Sequence, residues 1–209
     1  MVAYQGIGVR AAVVLTAFAA IACGGISSAH AQKKMLFVAV GENSRPPIGW
    51  VQFCEARPWE CNVSRMEPRD VQFTTQAKRE LERVNRFVNE RIKPLTDLEH
   101  YGVVERWTYP EDGYGDCEDY VLLKRRMLMQ LGWPRSALLI TVVRDKKGEG
   151  HSVLTVRTDK GEFILDNQVE EVLPWADTGY RYIKRQAQHD PNLWVSLGDD
   201  RPTPFVAAR

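Results

Sequence analysis

The sequence predicts an α+β fold, with helices first and an antiparallel sheet after them. Leu81, Val84, Val88 and Ile92 recur at helical spacing. A second helical pattern runs from Cys117 to Leu131. Three strand-like runs follow, separated by short turns rich in Asp, Lys and Gly.

Taken in order, the first thirty-one residues stand apart. Arg10 is their only formally charged residue, and it precedes the short apolar run AAVVLTAFAAIA. Ala29 and Ala31 then supply the A-x-A spacing that signal peptidase reads, so residues 1–31 are expected to be a secretory signal peptide. A membrane anchor is the competing reading, but the run is short for a span. A lipoprotein reading through Cys23 meets Ala20 where a lipobox usually has Leu. Cleavage after Ala31 would leave residues 32–209 as one domain without net formal charge, exported and not inserted in a membrane.

Residues 32–73 are rich in Pro, Arg and aromatics and read as irregular or short-helical. Residues 74–93 read as a helix ended by Pro94. YGVVERW (101–107) is either a short extended piece or a loop, and TYPEDGYG is a turn-rich approach to Cys117. In the next helix, Asp116 occupies the N-cap position, Val121, Leu128 and Leu131 share a face, and Gly132 and Pro134 mark the end. Strands are expected at ALLITVV (137–143), HSVLTVRT (151–158) and EFILDN (162–167), continuing as a meander through GYRYIKR and LWVSL.

Composition is that of a soluble globular chain, 44% hydrophobic and 26% charged over 209 residues. A formal charge of +1, with no Lys/Arg block, gives no reason to expect nucleic-acid binding. A Gly-rich phosphate loop, a zinc-type CxxC pair and internal repeats are all lacking.

Export bears on the cysteines. Without Cys23 the chain keeps Cys54, Cys61 and Cys117, and an oxidising compartment favours a Cys54–Cys61 disulfide that staples the N-terminal segment. Cys117 is then the odd thiol, either buried and quiet or kept free for chemistry. Asp116, Glu118 and Asp119 crowd it, and negative neighbours raise a thiol pKa. The helix N-terminus works the other way.

His151 opens one strand and Asp166 closes the next. A two-residue turn drawn from residues 158–161 gives both the same parity, so both project from one sheet face. A three-residue loop would break that parity. With it, Asp166 can accept from one imidazole nitrogen while the other faces a helix packed on that sheet, and Cys117 starts such a helix. That is the arrangement of an activated thiol.

The strings WTYPEDGYGDCEDYVLLKRRMLMQLGWP, GHSVLTV and FILDNQ, with WVQFCEARPWEC and VNRFVNERI upstream, resemble the bacterial transglutaminase-like cysteine proteinases. The resemblance covers most of residues 50–175 and stops before the terminal RPTPFVAAR. It implies a papain-like, transglutaminase-type core and a triad of Cys117, His151 and Asp166. It also implies a calcium ion beside the nucleophile, held by Asp116 and Glu118. The function implied is a periplasmic thiol protease that cleaves a large adhesin-type surface protein, with a role in attachment and biofilm and an inner-membrane regulatory receptor as a further partner. Two other readings stay open: an amine-transferring transglutaminase on the same triad, and a non-catalytic periplasmic binding protein. On spacing alone, the cap and dipole role is the favoured reading of Asp116 and Glu118, and only the resemblance turns them to calcium; Trp107 is equally a cleft wall or an oxyanion donor.

Overall fold

Seven strands form one sheet: β1 (Ala39–Ser44), β4 (Leu138–Arg144), β5 (Gly150–Thr158), β6 (Gly161–Leu165), β7 (Leu173–Pro174), β8 (Arg181–Ala187) and β9 (Asp190–Gly198). Their order across the sheet is β1-β9-β8-β4-β5-β6-β7, every neighbouring pair antiparallel. β2 (Lys93–Pro94) and β3 (Tyr114–Gly115) form a separate parallel pair. This computed structural model describes residues 1–3 and 36–199. The expected signal peptide, with its Arg10 and Cys23, lies outside the described residues after position 3, and RPTPFVAAR lies wholly outside them.

Five helices accompany the strands among the described residues: α1 (Ile48–Ala56), α2 (Pro58–Cys61), α3 (Thr75–Arg91), α4 (Asp97–Tyr101) and α5 (Cys117–Gln130). α3 follows its periodicity: Leu81, Val84 and Val88 are buried, and the Thr74 hydroxyl accepts the Ala77 amide at 3.1 Å as an N-cap. α5 ends where Gly132 takes a positive φ of 90°, a conformation that favours glycine. Leu131, expected on the buried face, is 46% exposed because it is already the C-cap. α4 is an addition to the expected elements; Thr96 and Glu99 form a reciprocal capping box at its start.

Two parts of the expected layout are corrected. Residues 39–44 are a strand, pairing with β9 at the sheet edge. The meander holds only from β4 to β7; β8 returns to the free edge of β4, with Thr141 opposite Arg185. A short helical turn at Trp175–Asp177 carries the chain across. This crossing buries Trp175, Tyr180 and Tyr182 with Val143, Val153 and Ile164 in a second apolar cluster. The main core, on the other sheet face, joins Leu154, Val156 and Leu165 to Val121, Leu122 and Leu128 of α5 and to α3. The Cys54–Cys61 disulfide is present, and Cys61 is buried in that core.

Candidate active site

The β5–β6 turn is two residues long, Asp159 and Lys160, between the paired Thr158 and Gly161. His151 and Asp166 therefore share a face, and His151 Nε2 lies 2.8 Å from Asp166 Oδ1. Both residues are buried. Asp166 Oδ1 also accepts the Gln168 amide at 3.0 Å, and Oδ2 accepts the Tyr180 hydroxyl at 2.5 Å. Burial alone would raise the Asp166 pKa; the donors from His151, Tyr180 and Gln168 outweigh it and hold the carboxyl below its usual value. An ionised carboxylate only accepts, so Nε2 carries a proton. The Gln168 amide nitrogen lies 3.5 Å from Nδ1.

The shared face is not the one expected. Residues of His151 parity, such as Val153, lie in the second cluster, whereas α5 covers the face that carries Leu154 and Val156. Cys117 reaches β5 at the strand's edge instead. β6 ends at Leu165, so the register pairs of β5 with β6 stop at Leu154. The amide of Ser152, the residue after His151, lies close enough to act on the Cys117 thiol. Cys117 is the free cysteine among the described residues, and its thiol donates to Glu118 Oε2 at 3.1 Å. Burial, then Glu118 and Asp116, push the thiol well above its ordinary pKa; the Ser152 amide opposes them.

The acids around Cys117 divide in two. Asp119 turns away, accepting the Thr108 amide at 2.8 Å. Gly115 permits this, since a Cβ there would sit 2.8 Å from Asp119 Cβ. Asp116 and Glu118 instead join Asp97, one ligand atom from each lying within 4.8 Å of the others. Asp116 sits at the N-cap of α5 but makes no side-chain cap bond. Its Oδ2 accepts the Asp97 amide at 3.3 Å, and its Oδ1 is buried without a partner. The Arg106 amide donates to Asp97 Oδ2. Burial, then repulsion from Asp97, pushes Asp116 up to about 6; burial, then repulsion from Asp116, pushes Glu118 up to about 9; burial lifts Asp119 to about 8. Asp97 is not legible in the sequence as a member of this group, because its place at the start of α4 looks like that of any first-turn acid.

Trp107 is 4% exposed and its indole N–H is already given to Glu105 Oε1 at 2.5 Å. Its ring packs edge-on against Trp50 and faces Gly49. It is a packed wall, with its donor spent.

A free thiol at a helix start, beside the strand that carries an oriented imidazole, is the arrangement of a thiol-dependent enzyme. The chain belongs to the bacterial transglutaminase-like cysteine proteinases, whose family model matches residues 40–202. Among solved structures it is similar to Legionella pneumophila LapG in its calcium-bound form, with 27% identity and a TM-score of 0.50 over 59% of this chain and 72% of that one. Two more LapG structures match: one at 28% identity and TM-score 0.49, over 58% and 70% of the two chains, and an EGTA-treated one at 27% and 0.48, over 59% and 72%. No curated protein matches significantly.

Proposed function

We propose that this cysteine protease is an exported endopeptidase working through Cys117, His151 and Asp166. The observation that carries the reading is the His151 Nε2–Asp166 Oδ1 bond of 2.8 Å, which supports Nδ1 as the nitrogen that serves as base. In this reading Nδ1 takes the Cys117 proton, and the sulfur attacks the scissile carbonyl. The C–N bond then breaks as the imidazolium gives its proton to the leaving amine, and water hydrolyses the thioester. The Cys117 amide, at the first turn of α5, is the donor offered to the oxyanion. Asp166 orients the imidazole and stabilises its cationic form.

Asp97, Asp116 and Glu118 would hold calcium, the ion named for the bound LapG structure. The fit rests on their convergence and on the partnerless, buried Asp116 Oδ1. Calcium takes six to eight oxygens, so carbonyls or waters would complete the shell. Bound there, the ion would supply positive charge that offsets the acids opposing thiolate formation.

The mature enzyme in this reading is the single domain of residues 32–209, released to the periplasm by cleavage after Ala31. No helix among the described residues is long and apolar enough to cross a membrane. Family resemblance points to a large adhesin-type surface protein as substrate, hence to control of attachment and biofilm, with an inner-membrane receptor as regulator. The test is incubation of residues 32–209 with extracellular adhesins of the same organism. A new N-terminus, absent with Cys117→Ala, supports the reading. Amine incorporation at Gln without chain cleavage would make the enzyme a transglutaminase instead.

A further inference from the structure

Tyr180 sits in the crossing between β7 and β8, 3% exposed. Its hydroxyl donates to Asp166 Oδ2 at 2.5 Å, on the carboxylate oxygen that His151 does not use. Its ring meets the His151 ring edge-on, with centroids 5.6 Å apart and planes at 81°. One side chain thus braces both partners of the His–Asp pair.

The bond matters because an aspartate χ2 is soft. That torsion is broad and two-fold, so one hydrogen bond from His151 would not by itself pin the carboxylate plane. The Gln168 amide loads the same oxygen as His151 and leaves Oδ2 free to swing. A donor on Oδ2 removes that freedom. Tyr180 is itself held: its amide donates to Thr178 Oγ1 at 3.3 Å, and that hydroxyl donates to the Trp175 carbonyl at 2.9 Å. Phenylalanine would fill the same apolar space in the second cluster. The hydroxyl adds the bond to a charged acceptor, a strong kind of hydrogen bond when short.

Resting on the triad reading above, we infer that Tyr180 is a positioning residue of the protease, fixing the Asp166 carboxylate so that Oδ1 presents to His151 Nε2. The effect of its hydroxyl on turnover passes through Asp166.

The test is Tyr180→Phe, made both in the wild-type and in the Asp166→Ala background, beside Cys117→Ala. In the wild-type background kcat falls on the order of tenfold, as for loss of a hydrogen bond to a charged group, while KM stays within about twofold because no substrate contact is lost. In the Asp166→Ala background the same change leaves kcat where it was. A merely structural role would lower both backgrounds alike. Should Tyr180→Phe not fold, proton NMR on the folded chain reads the same bond. A slowly exchanging Tyr180 hydroxyl proton with contacts to the His151 ring is expected, and it disappears in Asp166→Ala. The inference is overturned if Tyr180→Phe turns over normally while Cys117→Ala is dead, if the losses add in both backgrounds, or if the hydroxyl signal is missing or survives Asp166→Ala. An active Cys117→Ala would sink the parent reading first.

Discussion

Asp116 is a carboxylate without enough partners: one oxygen takes a long bond from the Asp97 amide and the other takes none. It and Glu118 hold protons more tightly in the folded chain than in the unfolded one, at about 6 and about 9. For a raised pKa the stabilising contribution is complete below the unfolded value, about 4, and disappears as pH rises through the folded one. The calcium-free protein is therefore expected to lose stability through these two acids as pH rises from about 4 to about 9. Calcium displaces the retained protons, so its affinity should climb over the same window. Calorimetry across pH, with Asp97→Asn, Asp116→Asn and Glu118→Gln in parallel, checks both trends. Proton release on calcium addition should shrink in each variant, and a flat affinity would show that the acids are no binding site. Asp116, Glu118 and Cys117 are legible as a cluster in the sequence because they adjoin there. Asp97 is not, since the fold alone brings it to Asp116.

At the level of elements, the disulfide locates the N-terminal helices. Cys54 lies in α1 and Cys61 closes α2, where the Cys61 carbonyl accepts the Asn192 side chain of β9 at 2.8 Å. Between the two cysteines, Glu60 accepts the Tyr109 hydroxyl at 2.7 Å. Closing so short a loop stabilises by about 2 to 3 kcal/mol. Reduction should lower Tm accordingly and raise amide exchange in α1 and α2 before it does so at His151 or Asp166. Equal loosening at the triad would contradict this placement. α3 and α5 are legible from helical periodicity, and β4, β5 and β6 because each is a short, largely apolar run buried on both faces and bounded by turn residues. α4 carries a readable signal, Thr96 and Glu99 in capping-box spacing, but its five residues present too little periodicity. β1 carries none, because AVGENS is mostly exposed and its partner β9 comes some 150 residues later.

In the molecule as a whole, the return of β8 to β4 is the largest feature that the sequence does not disclose. Alternation gives a strand's faces but not its neighbours, and a simple meander would leave Tyr180 far from Asp166. The parity of His151 and Asp166 holds because it depends only on the β5–β6 turn. The expected approach of Cys117 fails because which face α5 covers is a matter of topology. One buried acid ties the arrangement together. Glu162, 1% exposed, accepts the Val38 amide at 3.0 Å, Arg157 at 2.8 Å and Arg185 at 2.6 Å, linking β5, β6, β8 and the segment before β1. Glu162→Ala would leave buried guanidinium charge uncompensated, at a cost of about 3 to 5 kcal/mol. Urea unfolding reads that loss; a change under about 1 kcal/mol would make the cluster no more than a surface-like pair.

The central claim is that His151 activates Cys117, and the pH dependence of thiol alkylation tests it most directly. With Cys54 and Cys61 joined, Cys117 is the reactive thiol of residues 32–209. In saturating calcium, the wild type should alkylate with a thiolate population formed well below the free-cysteine pKa of about 8.5. His151→Ala should shift that profile to higher pH and slow the reaction at pH 6 by at least about tenfold. Identical profiles for the two proteins would contradict the account.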